Sequence, residues 1–209
     1  MTVYQYPFRE PFRKGTAFGK KGNLWKCGYH SGLDLLSRAA GGDGKVYPIA
    51  CGRVTACAKN HPSYGNYVTL LHGDGMLSLY AHLERILVKS GQQIDAETAL
   101  GIEGETGNAT GVHLHLELHE GTYRYPSGID PAAWLDARLA RQEEERDNMA
   151  DGYAAEAVLW ARETGLLRGD ETGAIHLHEP ISRQDTVVLL HRLKVQIEKE
   201  SGGSTPSAS

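Results

Sequence analysis

The residues of this chain whose types and spacing could do chemistry are the two histidines of Gly111-Val-His113-Leu-His115-Leu-Glu117-Leu118 and a distant His30-Ser-Gly-Leu-Asp34 segment. Successive side chains of an extended strand alternate between faces, so His113 and His115 project together while Val112, Leu114 and Leu116 point the other way. A tetrahedral catalytic zinc takes three protein ligands from His, Asp or Glu and keeps its fourth position for water or substrate. His30, Asp34 and one histidine of the pair supply such a set. Two neutral imidazoles and one carboxylate leave the site with net positive charge, a Lewis acid that brings the pKa of bound water towards ~7 and polarises a carbonyl. His82, in Tyr80-Ala-His82-Leu83, is a fourth candidate. An unligated imidazole with a pKa near ~6.5 is suited to moving protons or holding an anionic intermediate. Taken alone, the histidine pair is also compatible with a half-buried strand whose imidazoles are merely hydrogen-bonded.

Strands must position these groups. Between Lys45 and Glu120 short apolar runs alternate with glycine-containing turns, as in Gly52-Arg-Val-Thr-Ala-Cys-Ala58, Asn66-Tyr-Val-Thr-Leu-Leu-His72 and Met76-Leu-Ser-Leu-Tyr-Ala-His82. Closely spaced short strands of this kind predict an all-β core, and no helical period competes with them. Residues 1 to about 29 are rich in Gly, Pro, aromatic and basic residues and read as a loop-rich lead-in. After Pro131 the character changes. Residues 132–150 are rich in Ala, Arg and Glu and predict an exposed helix or helical linker. From Asp151 a second unit begins, with Tyr153, Ala157, Trp160, Ala161 and Thr164 at helical spacing, Gly165 as a stop, and a later helix carrying Val188, Leu189, Arg192 and Val195. The Gly/Ser/Thr/Pro tail from Ser201 to Ser209 has nothing to bury and is expected to be disordered.

The bulk numbers bound the rest. A chain of 209 residues, 40% hydrophobic, buries one good core and a small second module. A net charge of -4 argues against a nucleic-acid partner. No apolar run approaches the roughly 18 residues of a membrane span, and the first residues show no basic segment followed by an apolar one, so synthesis in the cytoplasm without a signal peptide is expected. The cysteines, Cys27, Cys51 and Cys57, are odd in number and form no disulfide framework, so reduced thiols are expected. Cys27-Gly-Tyr-His30 without a second pair is a weak ligand signal. His176-Leu-His178 repeats the paired spacing but has no His-x-x-x-Asp partner and reads as an exposed pair. His61, His72, His119 and His191 read as structural or surface residues.

In order along the chain, His30-x-x-x-Asp34, Gly65-Asn-Tyr-Val68, His72-Gly-Asp-Gly75, Tyr80-Ala-His82-Leu83, Gly104-Glu-Thr-Gly107 and Gly111-Val-His-Leu-His115-Leu-Glu-Leu118 resemble the motifs of the lysostaphin-type, LytM-like zinc endopeptidases. The likeness covers roughly residues 28–135 and includes Asp130-Pro131. It implies a mainly β domain, an antiparallel sheet or open barrel spanning 1–135, with one zinc ion held by His30, Asp34 and His115. His82 and His113 would then be the catalytic pair. The reaction implied is hydrolysis of a peptide bond in the stem or cross-bridge of peptidoglycan. The segment from Gly91 to Gly101 departs from the family's usual glycine-rich hairpin. The loops before His30 and around Lys59–Gly65 are idiosyncratic, and specificity is expected to lie there.

Beyond a helical linker at 136–150, residues 151–200 resemble one S-layer-homology repeat through Trp160, Gly165-Leu-Leu-Arg-Gly169-Asp170, Gly173, Pro180 and Ile181-Ser-Arg-Gln-Asp185. Such repeats hold proteins to cell-wall polymers, and Trp160 and Arg183 are the residues that resemblance singles out. Because repeats usually come in threes, one alone implies self-association or a reduced binding role. Together the two resemblances imply a phage or prophage endolysin that reaches the wall after release. The rival readings are a non-catalytic wall-binding or amidase-regulating protein on the same fold, and a carrier-type domain around Val88–Ile94, which lacks the lysine-tipped hairpin it would need.

Overall fold

The structure, a computed structural model, describes residues 2–9, 11–147, 155–170, 175 and 183–201. Contacts divide the chain into two compact units, Met1–Leu139 and Ala140–Ser209. The first carries ten strands: β1 (Arg13–Lys14), β2 (Leu33–Leu36), β3 (Lys45–Val46), β4 (Gly52–His61), β5 (Gly65–His72), β6 (Met76–Ala81), β7 (Arg85–Ile86), β8 (Gln93–Ile94), β9 (Gly101–Ile102) and β10 (Leu114–Glu120). Every pairing is antiparallel. Seven strands form one sheet in the order β1-β2-β10-β6-β5-β4-β8, and three form a second in the order β3-β9-β7. The fold is mainly antiparallel β, as the short alternating runs predict.

β10 lies inside the larger sheet, between β2 and β6, and its alternation separates two environments. Leu114, Leu116 and Leu118 are fully buried on the core side, where they meet Leu33, Leu35, Leu70, Tyr80 and Leu83. Burying each such leucine contributes about 1.5–3 kcal/mol, so the strand is anchored by its apolar row. The opposite row, His113, His115, Glu117 and His119, is free to be polar. Val112 does not join the apolar row: the regular strand begins at Leu114, and Val112 is exposed in the turn before it.

The lead-in is more ordered than its composition predicts. Gly15 N–H donates to Asp34 O, Asp34 N–H donates to Thr16 O, and Phe8 is buried in the core, so this segment extends the sheet past β2. The first turns of helix α1 (Pro131–Asp147) also differ from an exposed linker: Leu135 is fully buried, Trp134 meets the Tyr4 ring edge-on, and Asp136 pairs with Lys14 and Tyr6. Apolar Leu135 and Trp134 outweigh the charged composition of the rest of the helix.

In the second unit, α2 (Ala155–Glu163) and α3 (Arg183–Ser201) carry the apolar residues. Gly165 ends the first with φ +71°, its N–H donating to Arg162 O. Val158, Ala161, Leu166, Leu167, Leu189 and Leu193 line one apolar cavity, while Val188 and Val195 are exposed. The inward face of α3 is therefore turned from the Val188–Val195 stripe toward Leu189 and Leu193. Tyr153, Gly173, His176, His178, Pro180 and the tail after Ser201 lie outside the described residues. No described helix is long and apolar enough to cross a membrane.

Candidate metal centre

The register of three neighbouring strands assembles the site. On the β2–β10 ladder His115 stands directly opposite Asp34, and on the β10–β6 ladder it stands opposite Ala81, the residue before His82. His30 precedes β2 by one turn of chain. Its N–H donates to Lys20 O and its carbonyl accepts from Gly19 N–H. Between them Gly32 lets the chain pass over β10, since a Cβ there would collide with Leu116 O and the His115 ring.

Three donor atoms converge. His30 Nε2 is 2.9 Å from His115 Nδ1 and 3.0 Å from Asp34 Oδ1, and His115 Nδ1 is 3.1 Å from Asp34 Oδ1. Both tautomers are set from behind. His30 Nδ1–H donates to Ala17 O at 3.1 Å and His115 Nε2–H donates to Glu117 Oε1 at 3.1 Å, so that when each ring is neutral, as metal binding requires, its lone-pair nitrogen lies in the triangle. Tetrahedral zinc with bonds of about 2.0–2.1 Å spaces its ligand atoms about 3.3 Å apart, so the triangle fits that ion with a small expansion. Among the described residues, this is the one cluster of His, Cys, Asp and Glu with such convergence.

The electrostatics call for positive charge. Burial alone would raise the Asp34 carboxyl, but hydrogen bonds from His115 and His30 hold it well below the carboxylate range. Burial likewise opposes charge on His115, yet its hydrogen bonds to Asp34 and Glu117 push it up to about 9. Without a metal, His115 therefore holds a second proton, shared between its Nδ1 and Asp34 Oδ1, and a cation entering the triangle would displace that proton.

Glu117 is completely buried. It accepts from Ser31 Oγ at 2.5 Å, Tyr64 OH at 2.9 Å and His115, while its Oε2 accepts from His119 Nε2 at 3.1 Å. Burial would raise its pKa, but the bonds from His115 and His119 hold it well below the usual range. Burial and the Glu117 charge drive the Tyr64 hydroxyl far up, so Tyr64 remains a donor. His119, which reads from sequence as a structural or surface residue, belongs to this buried cluster. Its same-row position with Glu117, two residues along the strand, is the signal that identifies it.

His82 and His113 stand beside the triangle with ring centroids 4.7 Å apart. His82 Nδ1–H donates to Thr106 O and His113 Nδ1–H to Gly111 O, both at 2.8 Å, so each leaves Nε2 unprotonated. Burial, aided by the neighbouring imidazoles, pushes His82 down to about 4, so it is neutral at pH 7. Its backbone has φ +63°, a conformation side-chain-bearing residues seldom adopt and one that clusters at functional sites. The Gly104–Gly107 loop makes it possible, because a Cβ on Gly104 would strike Glu84 N and approach His82 O.

Cys27 does not join the ligands: its thiol donates to Tyr29 O. His72 is buried on β5, bonded to Cys51 O and Ser78 Oγ, and His61 accepts the N–H groups of Ser63 and Tyr64. On α2 Trp160 is 45% exposed. Arg183 opens α3, but its side chain lies outside the described residues.

An antiparallel β domain thus presents two histidines and an aspartate to one point, with two further imidazoles alongside. Residues 28–127 match the model of Peptidase family M23, and the fold of the first unit is lysostaphin-like. The chain is 46% identical over 65 residues to the peptidoglycan DD-endopeptidase ShyA of Vibrio cholerae, covering 31% of this chain and 15% of that protein. It is 36% identical over 89 residues to ShyB of the same organism, covering 43% of this chain and 20% of that one. The catalytic domain of lysostaphin from Staphylococcus simulans superposes with TM-score 0.54 at 26% identity, over 60% of this chain and 92% of that one. A zinc-containing peptidase from Vibrio cholerae gives TM-score 0.51 at 29% identity, over 62% of this chain and 39% of its own.

Proposed function

We propose that the protein is a zinc-dependent endopeptidase that hydrolyses peptide bonds in the stem or cross-bridge of bacterial peptidoglycan. The observation that carries this reading is the triangle of His30 Nε2, Asp34 Oδ1 and His115 Nδ1, with both tautomers fixed and two unprotonated imidazole nitrogens beside it. A zinc ion held by those atoms supplies Lewis acidity, which activates water at neutral pH and polarises a carbonyl oxygen. His82 or His113 takes, on Nε2, the proton that the attacking water gives up. The same N–H then donates to the carbonyl oxygen as charge develops there, and finally passes the proton to the leaving nitrogen. Because its Nδ1 is tied to a backbone carbonyl, each ring performs this without turning.

The peptidoglycan substrate is supported by the kinship with ShyA, ShyB and lysostaphin. The biological setting we infer is cell lysis by an endolysin of phage or prophage origin, made in the cytoplasm and acting on the wall after release. The S-layer-homology-like residues of the second unit support wall attachment, with Trp160 exposed for contact and Arg183 as its companion; a lone repeat of this kind would complete its core by pairing with a second copy.

The test is mass spectrometry of fragments released from purified peptidoglycans of several cross-bridge types. New amino termini that vanish with chelator and return with zinc are expected, and they name the bond. A folded, zinc-loaded protein that releases nothing from any wall would contradict the reading and favour the non-catalytic one.

A further inference from the structure

A groove of about 540 Å³ opens directly beside the metal centre, with Asp34 and His113 in its wall. Arg13, Lys14 and Lys20 also line it, so it is rich in basic residues in a chain whose net charge is -4. The three cations are not equivalent. Arg13 stands opposite Leu36 on the β1–β2 ladder and Lys14 opposite Leu35. Cross-strand partners share a face, so Arg13 shares the face of Leu36 and Asp34, whereas Lys14 falls on the side of buried Leu35. There Lys14 is neutralised by Asp136 at 2.9 Å and lies over the Tyr6 ring. Arg13 and Lys20 have no acidic partner among the described residues and are exposed.

Backbone pairing ties both to the metal ligands. Lys20 O accepts the His30 N–H at 2.9 Å. Gly15 N–H donates to Asp34 O at 2.8 Å, which places Arg13 two residues, about 7 Å of strand, from the backbone of Asp34. Two cations with no acidic partner among the described residues therefore flank the site on its β2 side. A neutral peptide entering this groove would strip water from them without compensation, and a basic one would be repelled. A carboxylate answers both, and the planar guanidinium of Arg13 can engage it through two parallel N–H donors.

We propose that Arg13 and Lys20 form an anion subsite that selects peptides carrying a free carboxylate close to the bond being cut. The inference rests on the endopeptidase reading and deepens it by naming the substrate class as an acidic peptide.

The test compares cross-linked peptidoglycan peptide dimers whose side-chain carboxyl groups are ionised or converted to carboxamides. The zinc-loaded full chain is expected to cleave the acid form with kcat/KM about tenfold higher, a preference that shrinks as salt is raised. Arg13→Ala or Lys20→Ala should collapse that ratio towards one, Arg13→Lys should retain part of it, and Lys89→Ala, on a distant surface, should leave it intact. Calorimetric binding of both dimers to zinc-loaded His113→Ala protein supplies an independent reading. Equal affinity and equal cleavage of acid and amide forms would overturn the subsite while leaving the endopeptidase standing. Tighter binding of the acid form with no cleavage by the wild type would uphold the subsite and overturn the endopeptidase reading.

Discussion

His115 donates its Nε2–H to Glu117 at 3.1 Å, and this one contact decides which nitrogen of the ring faces Asp34. Glu117 in turn is held by Ser31, Tyr64 and His119, so the orientation of a candidate metal ligand is set by residues from three separate segments of the chain.

Replacing Glu117 with Gln keeps the shape but removes the charge that fixes the tautomer. Zinc affinity is expected to fall about 10–100-fold, the usual cost of losing a ligand's hydrogen-bond partner. Competition titration against a chromophoric chelator measures it. An unchanged affinity would show that Glu117 serves folding alone.

Substituting His113 or His82 with Ala should separate chemistry from metal binding. Neither Nε2 is in the donor triangle, so one equivalent of zinc should remain bound. Turnover should fall about 10²–10⁴-fold, as expected for loss of a group that transfers the proton. Metal analysis alongside a cleavage assay distinguishes this from collapse of the site.

Gly32→Ala places a methyl group against Leu116 O and the His115 ring. Overpacking of this kind costs about 1–3 kcal/mol, and if the displaced ring holds the metal as proposed, zinc affinity should fall with it. Urea unfolding with and without zinc reads both effects.

Acid stability carries a definite sign. Burial lowers His72 and brings His82 down to about 4, from an unfolded value of 6.5. The unfolded chain then binds more protons, so the stabilisation is present above pH 6.5 and is lost as pH falls towards 4. His115, raised to about 9, contributes fully throughout that window and is lost only as pH rises from 6.5 through 9 in metal-free protein. The unfolding free energy of zinc-free protein should therefore decline from pH 6.5 to pH 4, less steeply in His72→Gln. A flat profile over that range would show that the two imidazoles are not buried in their neutral form.

Much of this site was legible before any coordinates. The parity of His113, His115 and the leucines between them follows from strand geometry, and the spacing of His30 and Asp34 offers a candidate ligand pair. What could not be read was register. Nothing local states that Asp34 faces His115 across a ladder, or that Ser31 and Tyr64 reach the buried Glu117 from two different places. The local rules also misjudged Val112, which alternation assigns to the core although the strand starts two residues later. At the start of α1, the tertiary burial of Leu135 outweighs a charged composition.

The central claim is that His30, Asp34 and His115 together hold one zinc ion, and X-ray absorption at the zinc edge tests it most directly. The zinc-loaded protein is expected to show two imidazole rings and light-atom donors at about 2.0–2.1 Å, with one imidazole lost in His115→Ala. Sulfur scattering at about 2.3 Å, or two imidazoles persisting in His115→Ala, would place the metal on other ligands and contradict it.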